Sequence, residues 1–327
     1  MVRAIAGARP DCLVLLDSSE FNLFEIQRNV ESDMRHVPCE AALGSTVDVD
    51  LLDGIFTHFR PEIIYHTAAF KQVPLLELNP LAAVQNNAIG TWTLAQAAVR
   101  HGASKVVLIS TDKAVNPRSV MGASKRIAEL AIMALSSPAC PMNAIRLVNV
   151  IGSGGSVVPV WLQQIAERRP MTVTHPEVSR WFLSLRETVQ AILACGATAC
   201  EGRILLPELG DPVHIAELAE YFRTAASNGY PQEFPIEFTG LRPGEKLTEE
   251  LAYQTEVQDG FVEGSLEVLK TRRLLPAEME DVMDRLSICI ASRDGSGLIR
   301  TLTSVVPEYV PSECVLHAMI APVRVEK

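Results

Sequence analysis

Residues 109–125 read ISTDKAVNPRSVMGASK. The segment grows out of an apolar run at 105–110 (KVVLIS), whose make-up suits a strand buried on both faces. Ser110, Thr111, Asp112 and Lys113 then gather at the C-terminal end of that strand, where open parallel sheets bind ligands. A turn through Asn116 and Pro117 follows, and residues 121–135 take up helical spacing. Met121 and Lys125 fall one helical turn apart, on one face. Taken on spacing alone, a solvated polar loop fits this segment as well as a site does.

Outward from this segment, strand-like and helix-like stretches alternate. Residues 12–16 (CLVLL), 37–43, 62–66 (EIIYH) and 143–150 read as strands. Residues 18–28, 51–59 and 80–101 read as helices, the last opening on Pro80 and stopping near Gly102. The alternation gives an α/β fold, a Rossmann-like doubly wound parallel sheet with helices on both faces. Beyond Gly152 the rhythm loosens. Helices are expected at 156–167, 187–198 and 213–222, and strands at 171–174, 203–206 and 235–239. The expected division is residues 1–152 as the sheet domain. Residues 153–327 form a smaller C-terminal substrate lobe interleaved with the last sheet strands.

Bulk composition narrows the function. Of 327 residues, 48% are hydrophobic and 21% charged, which supports a sizeable core and argues against disorder. A net charge of -10 repels phosphate backbones, so nucleic acid is not an expected partner. Local cations and helix N-termini can still hold one small phosphate-bearing ligand. The 7 cysteines show no C-x-x-C spacing and read as free thiols in a reducing compartment. Neither they nor the histidines have metal-ligand spacing, so no metal is expected. No apolar run approaches a membrane span, and residues 1–10 lack the apolar stretch of a signal peptide. The chain as given is expected in the cytoplasm.

Residues 109–125 resemble the S-T-D-K-A-x-x-P and M-G-A-S-K (or Y-x-x-x-K) segment of the nucleotide-sugar branch of the extended short-chain dehydrogenases. Within that branch the likeness is to polysaccharide-biosynthesis proteins that act as UDP-N-acetylglucosamine 4,6-dehydratases. HTAAFKQVPLLELNP (66–80), NNAIGT (86–91), RLVNVIGSGGSVVP (146–159), TVTHPEVSRWF (172–182) and GLRPGEKLTEEL (240–251) continue it in the family's order. The resemblance covers roughly residues 13–251. Several motifs in order are specific where any one alone is weak.

The resemblance implies a redox-neutral dehydration of a UDP-sugar in surface-polysaccharide biosynthesis. Hydride leaves sugar C4 for NAD, the resulting ketone acidifies C5, water leaves from C5 and C6, and hydride returns to C6. It also implies a homo-oligomer. Full-length relatives often carry an N-terminal membrane segment and sit on the cytoplasmic face of the inner membrane. Most short-chain dehydrogenases use a tyrosine as base where this chain has Met121. A thioether has no ionisable proton, so Met121 cannot act so; one dehydratase subgroup shares the substitution.

By the resemblance, Asp112 is the acid at the C6 oxygen, Lys113 the base at C5, and Thr111 the neighbour of the C4 hydroxyl, with a water relay. Lys113 then needs a lowered pKa, expected from burial beside Lys125. Lys125 is assigned to the nicotinamide ribose, with Ser110 beside the cofactor. Asp17 is assigned to the adenosine ribose, favouring NAD over NADP; its plain reading is a helix cap shared with Ser18 and Ser19. Ala68 and Ala69 leave room for the cofactor, and Lys71 reaches toward substrate. Asn87 is a cofactor neighbour or a helix-packing amide. Arg242 suits the diphosphate and Glu245 a ribose hydroxyl; their plain reading is a Pro-Gly turn before an acidic helix start. Asn149, Val157, Val158 and Arg180 are further substrate candidates.

Some family features have no counterpart. The family's first strand and its G-x-x-G-x-x-G loop would precede the helix ending near Pro10, and Gly7 stands alone. For the chain as given this predicts weak NAD binding, two unpaired strand edges and an apolar gap in the core. A mis-called start or a gene fragment is the favoured cause. Leu147-Val148 replace the usual Phe-Gly, and Ser45 stands where an aspartate often meets adenine. Two other functions compete with the dehydratase. One is a UDP-sugar 4- or 5-epimerase, which usually needs the missing tyrosine. The other is an inactive fragment or pseudoenzyme that at most binds sugar nucleotide.

Overall fold

The computed structural model describes residues 1–34, 36–154, 156–226, 234–262 and 266–320. Gly155, in the glycine-serine stretch after Val150, lies outside them. The chain opens with α1 (Val2–Gly7), β1 (Leu13–Asp17), α2 (Glu20–Asp33), β2 (Cys39–Leu43), α3 (Val49–Phe59) and β3 (Ile63–His66). Next come α4 (Val73–Glu77), α5 (Pro80–Val84), a π-helical turn (Gln85–Ile89) and α6 (Gly90–Arg100). Then follow β4 (Lys105–Thr111), a 3-10 turn (Asp112–Ala114), α7 (Val120–Leu135), β5 (Met142–Leu147) and β6 (Asn149–Val150). The second half holds α8 (Val157–Ala166), β7 (Met171–Val173), β8 (Ser179–Arg180), β9 (Phe182–Leu183), α9 (Leu185–Ala197) and β10 (Ile204–Pro207). It continues with β11 (Val213–His214), α10 (Ile215–Ala226), β12 (Ile236–Phe238), β13 (Val257–Val262) and β14 (Leu266–Lys270). Three helices close it: α11 (Pro276–Ala291), α12 (Gly295–Val305) and α13 (Glu313–Ile320).

The main sheet has 6 strands in the order β13-β14-β10-β5-β4-β3. Strands β3, β4, β5 and β10 run parallel, with β4 and β5 both inside the sheet. Both are almost wholly buried because α-helices cover both sheet faces. The antiparallel hairpin β13–β14 adds one edge, so the sheet is mixed rather than wholly parallel. Strands β1 and β2 pair in parallel as a separate sheet of 2. They have not closed onto β3: among the described residues, one edge of β1 and one edge of β3 have no strand partner. The side chain of Leu16 still packs on the core that holds Val106 and Leu108.

Several local expectations are corrected. The helix expected over 80–101 is interrupted by the π-helical turn, because the Asn87 side chain is engaged by the loop at Phe70. One residue is thereby added to the turn, a device that re-aims side chains. The strand expected over 143–150 ends at Leu147; Asn149 and Val150 leave the sheet and pair with β9. Val213 and His214 pair with β8 before their helix begins at Ile215.

Cores lie on both faces of the sheet. One joins α3, α6 and α7 to β4, β5 and β10, and another packs α9 on the opposite face. A third lies between α7 and the C-terminal helices α11 and α12, so that α7 is buried almost all round. A smaller core around Trp161, Met171 and Phe234 builds the lobe of α8, α10, β7 and β12.

Candidate active site

A cleft of about 550 Å³ opens above the C-terminal ends of β4 and β5, against the α8–α10 lobe. Thr111, Lys113, Met121 and Lys125 line it from the sheet side, and Val157 and Arg242 from the other. The sequence places them there through one strand, one tight turn and one helix. Ser119 caps α7, its hydroxyl accepting the Gly122 N–H at 3.1 Å. Gly122 then lets α7 close on the turn: a Cβ there would lie 2.2 Å from the Lys113 carbonyl oxygen.

The Thr111 hydroxyl donates to Asp112 Oδ1 at 2.8 Å. The Lys113 ammonium donates to the same oxygen at 3.0 Å and to Asn149 Oδ1 at 3.1 Å. Glu249 Oε1 stands 3.7 Å from the same ammonium. Asp112 has a side chain 1% exposed and sits beneath the cleft rather than on its wall, while Lys113 is 24% exposed. Asp112 Oδ2 is buried with no hydrogen-bond partner.

The lowered pKa expected of Lys113 is not found. Burial alone would lower it, but the carboxylates of Asp112 and Glu249 outweigh burial and hold it above the ordinary lysine value. The downward shift falls on Lys125 instead, to about 8, through burial against the weaker pull of Glu129. His66, buried and bonded through Nε2 to Thr91 at 2.8 Å, is pushed down to about 3 by burial and then by Lys125.

Beneath these residues lies a buried charge cluster absent from the sequence reading. Arg146 on β5 bonds bidentately to Glu129 on α7, at 2.9 Å for each contact, and to Glu256 at 2.6 and 2.8 Å. Arg126 joins Glu129 at 2.9 Å. Burial would raise Glu129, but Arg146 and Arg126 hold it at about 2. Ser110 donates to Glu129 at 2.7 Å, so its hydroxyl is committed to this cluster. Tyr253 stacks under Arg126, 4.5 Å from the guanidinium carbon to the ring centre, and its hydroxyl holds the Ala114 carbonyl at 2.7 Å. The 3-10 turn is thus pinned from below.

On the cofactor side, the nicotinamide half of an NAD fits the residues present. Ala69, Thr111 and the cleft-lining Lys125 form a wall with a cation about one turn from Met121. Ala68 is not on that wall. Asn87 works as a packing amide: its Oδ1 accepts from Phe70 N at 2.8 Å, and its Nδ2 donates to Phe70 O and Ser124 at 3.0 Å. Asp17 also lies off the cleft wall. Its Oδ1 accepts the Ser19 N–H at 2.8 Å, and Ser19 in turn caps α2.

On the substrate side, Lys71, Asn149, Val157, Arg180, Arg242 and Glu245 share the cleft. Val158 opens α8 beside Val157 and packs on the lobe core. Arg242 is exposed and folded back on Glu245, through contacts of 2.9 and 2.6 Å. Arg180 is mostly spent on backbone: it donates to the carbonyls of Ser179 and Leu247 and to Lys246 O, at 2.7 to 2.8 Å. It therefore clamps the turn carrying Arg242. Two cleft residues went unread in the sequence. Arg118, exposed at the rim just before α7, carries no local signal. Glu249 belongs to the quoted GLRPGEKLTEEL motif, but its partners come from distant segments.

Known proteins share both the sequence and the shape. A family model described as "Polysaccharide biosynthesis protein" matches residues 1–268. The probable polysaccharide biosynthesis protein EpsC of Bacillus subtilis is 40% identical over 78% of this chain and 43% of its own. The capsular polysaccharide biosynthesis protein CapD of Staphylococcus aureus is 35% identical over 87% of this chain and 48% of its own. The chain thus spans about half the length of these relatives. A UDP-glucose 4-epimerase of Rickettsia typhi is 30% identical over 73% of this chain and 70% of its own. Among solved structures, Pen from Bacillus thuringiensis has a TM-score of 0.75 at 25% identity, covering 86% of this chain and 91% of its own. DesIV of Streptomyces venezuelae, a dTDP-glucose 4,6-dehydratase solved with NAD, has a TM-score of 0.65 at 22% identity, over 77% and 83% of the two chains. At that identity it speaks for the fold alone.

Proposed function

Because this chain belongs to the polysaccharide biosynthesis protein family, within the extended short-chain dehydrogenases, we propose that its site is that of a nucleotide-sugar 4,6-dehydratase. The substrate we assign is UDP-N-acetylglucosamine, and the product a UDP-4-keto-6-deoxy-N-acetylhexosamine. The observation that carries this reading is the 3.0 Å contact between Lys113 Nζ and Asp112 Oδ1 at a cleft where methionine replaces the usual tyrosine. A pair of groups sharing one proton can supply both the acid and the base that an elimination needs.

NAD is the cofactor we assign, held by Lys125, Thr111 and Ala69 at its nicotinamide end and by Asp17 at its adenosine. When bound it supplies the acceptor and donor for the hydride exchanged between C4 and C6. Thr111 holds the C4 hydroxyl, whose proton leaves toward solvent through a water relay. A proton passes from the Lys113 ammonium to the Asp112 carboxylate, leaving a neutral amine and a carboxylic acid. With C4 a ketone, Lys113 removes the C5 proton. Asp112 protonates the C6 hydroxyl, the C6–O bond breaks and water leaves. Lys113 then returns a proton to C5, and the proton released from the C4 hydroxyl restores the pair. Because Lys113 rests as an ammonium, the internal transfer to Asp112 precedes the C5 step. On the other wall, Arg242 with Lys71 receives the diphosphate, Glu245 a ribose hydroxyl, and the N–H groups that open α8 at Val157 and Val158 a further anionic oxygen.

An epimerase is the competing reading, supported by the Rickettsia relative and opposed by Met121. Incubating NAD-loaded enzyme with UDP-N-acetylglucosamine in D2O separates them. A dehydratase yields a product lighter by one water and deuterated at C5; a product of unchanged mass would overturn the proposal. Asp112→Asn and Lys113→Ala are expected to abolish turnover, and normal turnover in either would remove its assigned role.

A further inference from the structure

Glu249 is a buried carboxylate that the reaction scheme above does not use. Its side chain is 3% exposed, yet it stands on the cleft wall beneath which Asp112 lies. Oε1 stands 3.7 Å from both Lys113 Nζ and Arg180 Nε, and Oε2 stands 3.8 Å from Lys246 Nζ. Oε2 has no hydrogen-bond partner. A carboxylate serving merely to neutralise its cations would close on one of them at hydrogen-bond distance. Here each cation is held elsewhere: Lys113 by Asp112 and Asn149, Arg180 by the carbonyls of the turn, and Lys246 by the Val115 carbonyl at 2.8 Å.

We propose that Glu249 is a positioning residue of the reaction: it is the second counter-ion of Lys113, beside Asp112, and it ties that lysine's proton to the turn that carries Arg242. Its place in the reaction rests on the dehydratase reading. The groups involved can be stated fully. Lys113 is faced by Asp112, Glu249, Arg180 and the neutral Asn149. Glu249 is faced by Lys113, Arg180 and Lys246, and Lys246 also by Glu250, Asp112 and Arg118. Both carboxylates pull on the ammonium, so the transfer to Asp112 that readies acid and base works against Glu249. Ligand filling the cleft at the Arg242 turn can draw Glu249 or its cations aside, and Lys113 then yields its proton more readily.

The test reads the lysine itself, with no need for turnover. The whole chain is pulse-labelled with acetic anhydride against a reference amine over a range of pH. Acetylation of Lys113 and Lys125 is followed by peptide mass spectrometry, since only a neutral amine reacts. In the unsubstituted protein Lys113 should label with a midpoint above its ordinary 10.5 and Lys125 near 8. Loss of an opposite charge at this range shifts a midpoint by roughly one to three pH units. Glu249→Gln should therefore lower the Lys113 midpoint by at least a unit and leave Lys125 in place. Glu249→Asp, whose shorter carboxylate is drawn back from Lys113, should fall between the two. The Lys125 midpoint reports whether the site has kept its fold; should the glutamine variant lose it, the aspartate variant decides. An unmoved Lys113 midpoint in a folded variant overturns the proposal. A shifted midpoint in an enzyme that removes no water from UDP-N-acetylglucosamine would leave it standing and sink the dehydratase reading alone.

Discussion

Gly122 and Lys113 are in backbone contact: a Cβ built on the glycine would lie 2.2 Å from the lysine carbonyl oxygen. No rotamer can relieve that overlap, because the obstructing atom is backbone. The small residue after Met121 is therefore what lets the Asp112–Ala114 turn rest on α7. Gly122→Ala is expected to push the Asp112–Ala114 turn away from the helix, at a stability cost of about 1–3 kcal/mol. Turnover should fall by more than that loss would explain, since Lys113 moves relative to Asn149. Urea unfolding gives the first quantity and rates at saturating substrate the second. An alanine variant with unchanged rates would show that the turn tolerates displacement.

The Arg146 cluster is a scaffold with every member paired. Its guanidinium holds two carboxylates that arrive from α7 and from the segment before β13. Removing one partner of such a buried set strands the opposite charges, typically at about 3–5 kcal/mol. Arg146→Met should lose stability on that scale. Arg146→Lys should recover little of it, because an ammonium cannot bond both carboxylates bidentately. Chemical denaturation of the two variants checks both statements, and full rescue by lysine would deny the geometric argument.

His66 sets a pH dependence with a definite sign. Its folded pKa is depressed to about 3 from 6.5, so the unfolded chain takes up a proton in this range and the folded chain does not. Stability should accordingly fall as pH drops below 6.5, by about 1.4 kcal/mol per unit for this one group. Glu129 adds a loss of the same sign only below its ordinary 4.5. Between those two values His66→Gln should flatten the slope, and unfolding midpoints measured across that window test it. A slope unchanged by the substitution would place the acid sensitivity elsewhere.

What the sequence disclosed and what it hid divide along sequence separation. Thr111, Lys113, Met121 and Lys125 were legible because one strand, one turn and one helix carry them, and local spacing fixes their relation. Fold class followed from the same alternation. The protonation of Lys113 was misread because burial was weighed without its counter-ions: Asp112, its neighbour in sequence, pulls first, and Glu249, which adds to it, arrives from a distant turn. Asn87 reads as a cofactor neighbour or a packing amide on one regular helix; the π-helical turn around it accompanies its bond to Phe70, which no periodicity announces. The β13–β14 hairpin escaped for a related reason. Its partner, β10, is what makes a strand of it.

Gly244 offers a way to separate the two walls of the cleft. It has φ +80, and a Cβ there would meet Ser119 Cβ at 2.9 Å and Val73 Cγ1 at 3.0 Å. It thus needs glycine twice, for its left-handed backbone and for close approach. Gly244→Ala should shift the turn bearing Arg242 and Glu245 while leaving β4 and α7 in place. UDP should then bind on the order of tenfold more weakly, the loss of about 1.4 kcal/mol, and Lys125 should keep its labelling midpoint near 8. Arg242→Ala is the companion variant. The side chain is exposed, so its removal should weaken UDP without altering thermal stability, whereas Gly244→Ala should lower both. Calorimetric titration with UDP and a melting curve for each variant decide the matter. If Gly244→Ala binds UDP as the parent does, the turn is not the diphosphate wall, and the assignment of Arg242 falls with it.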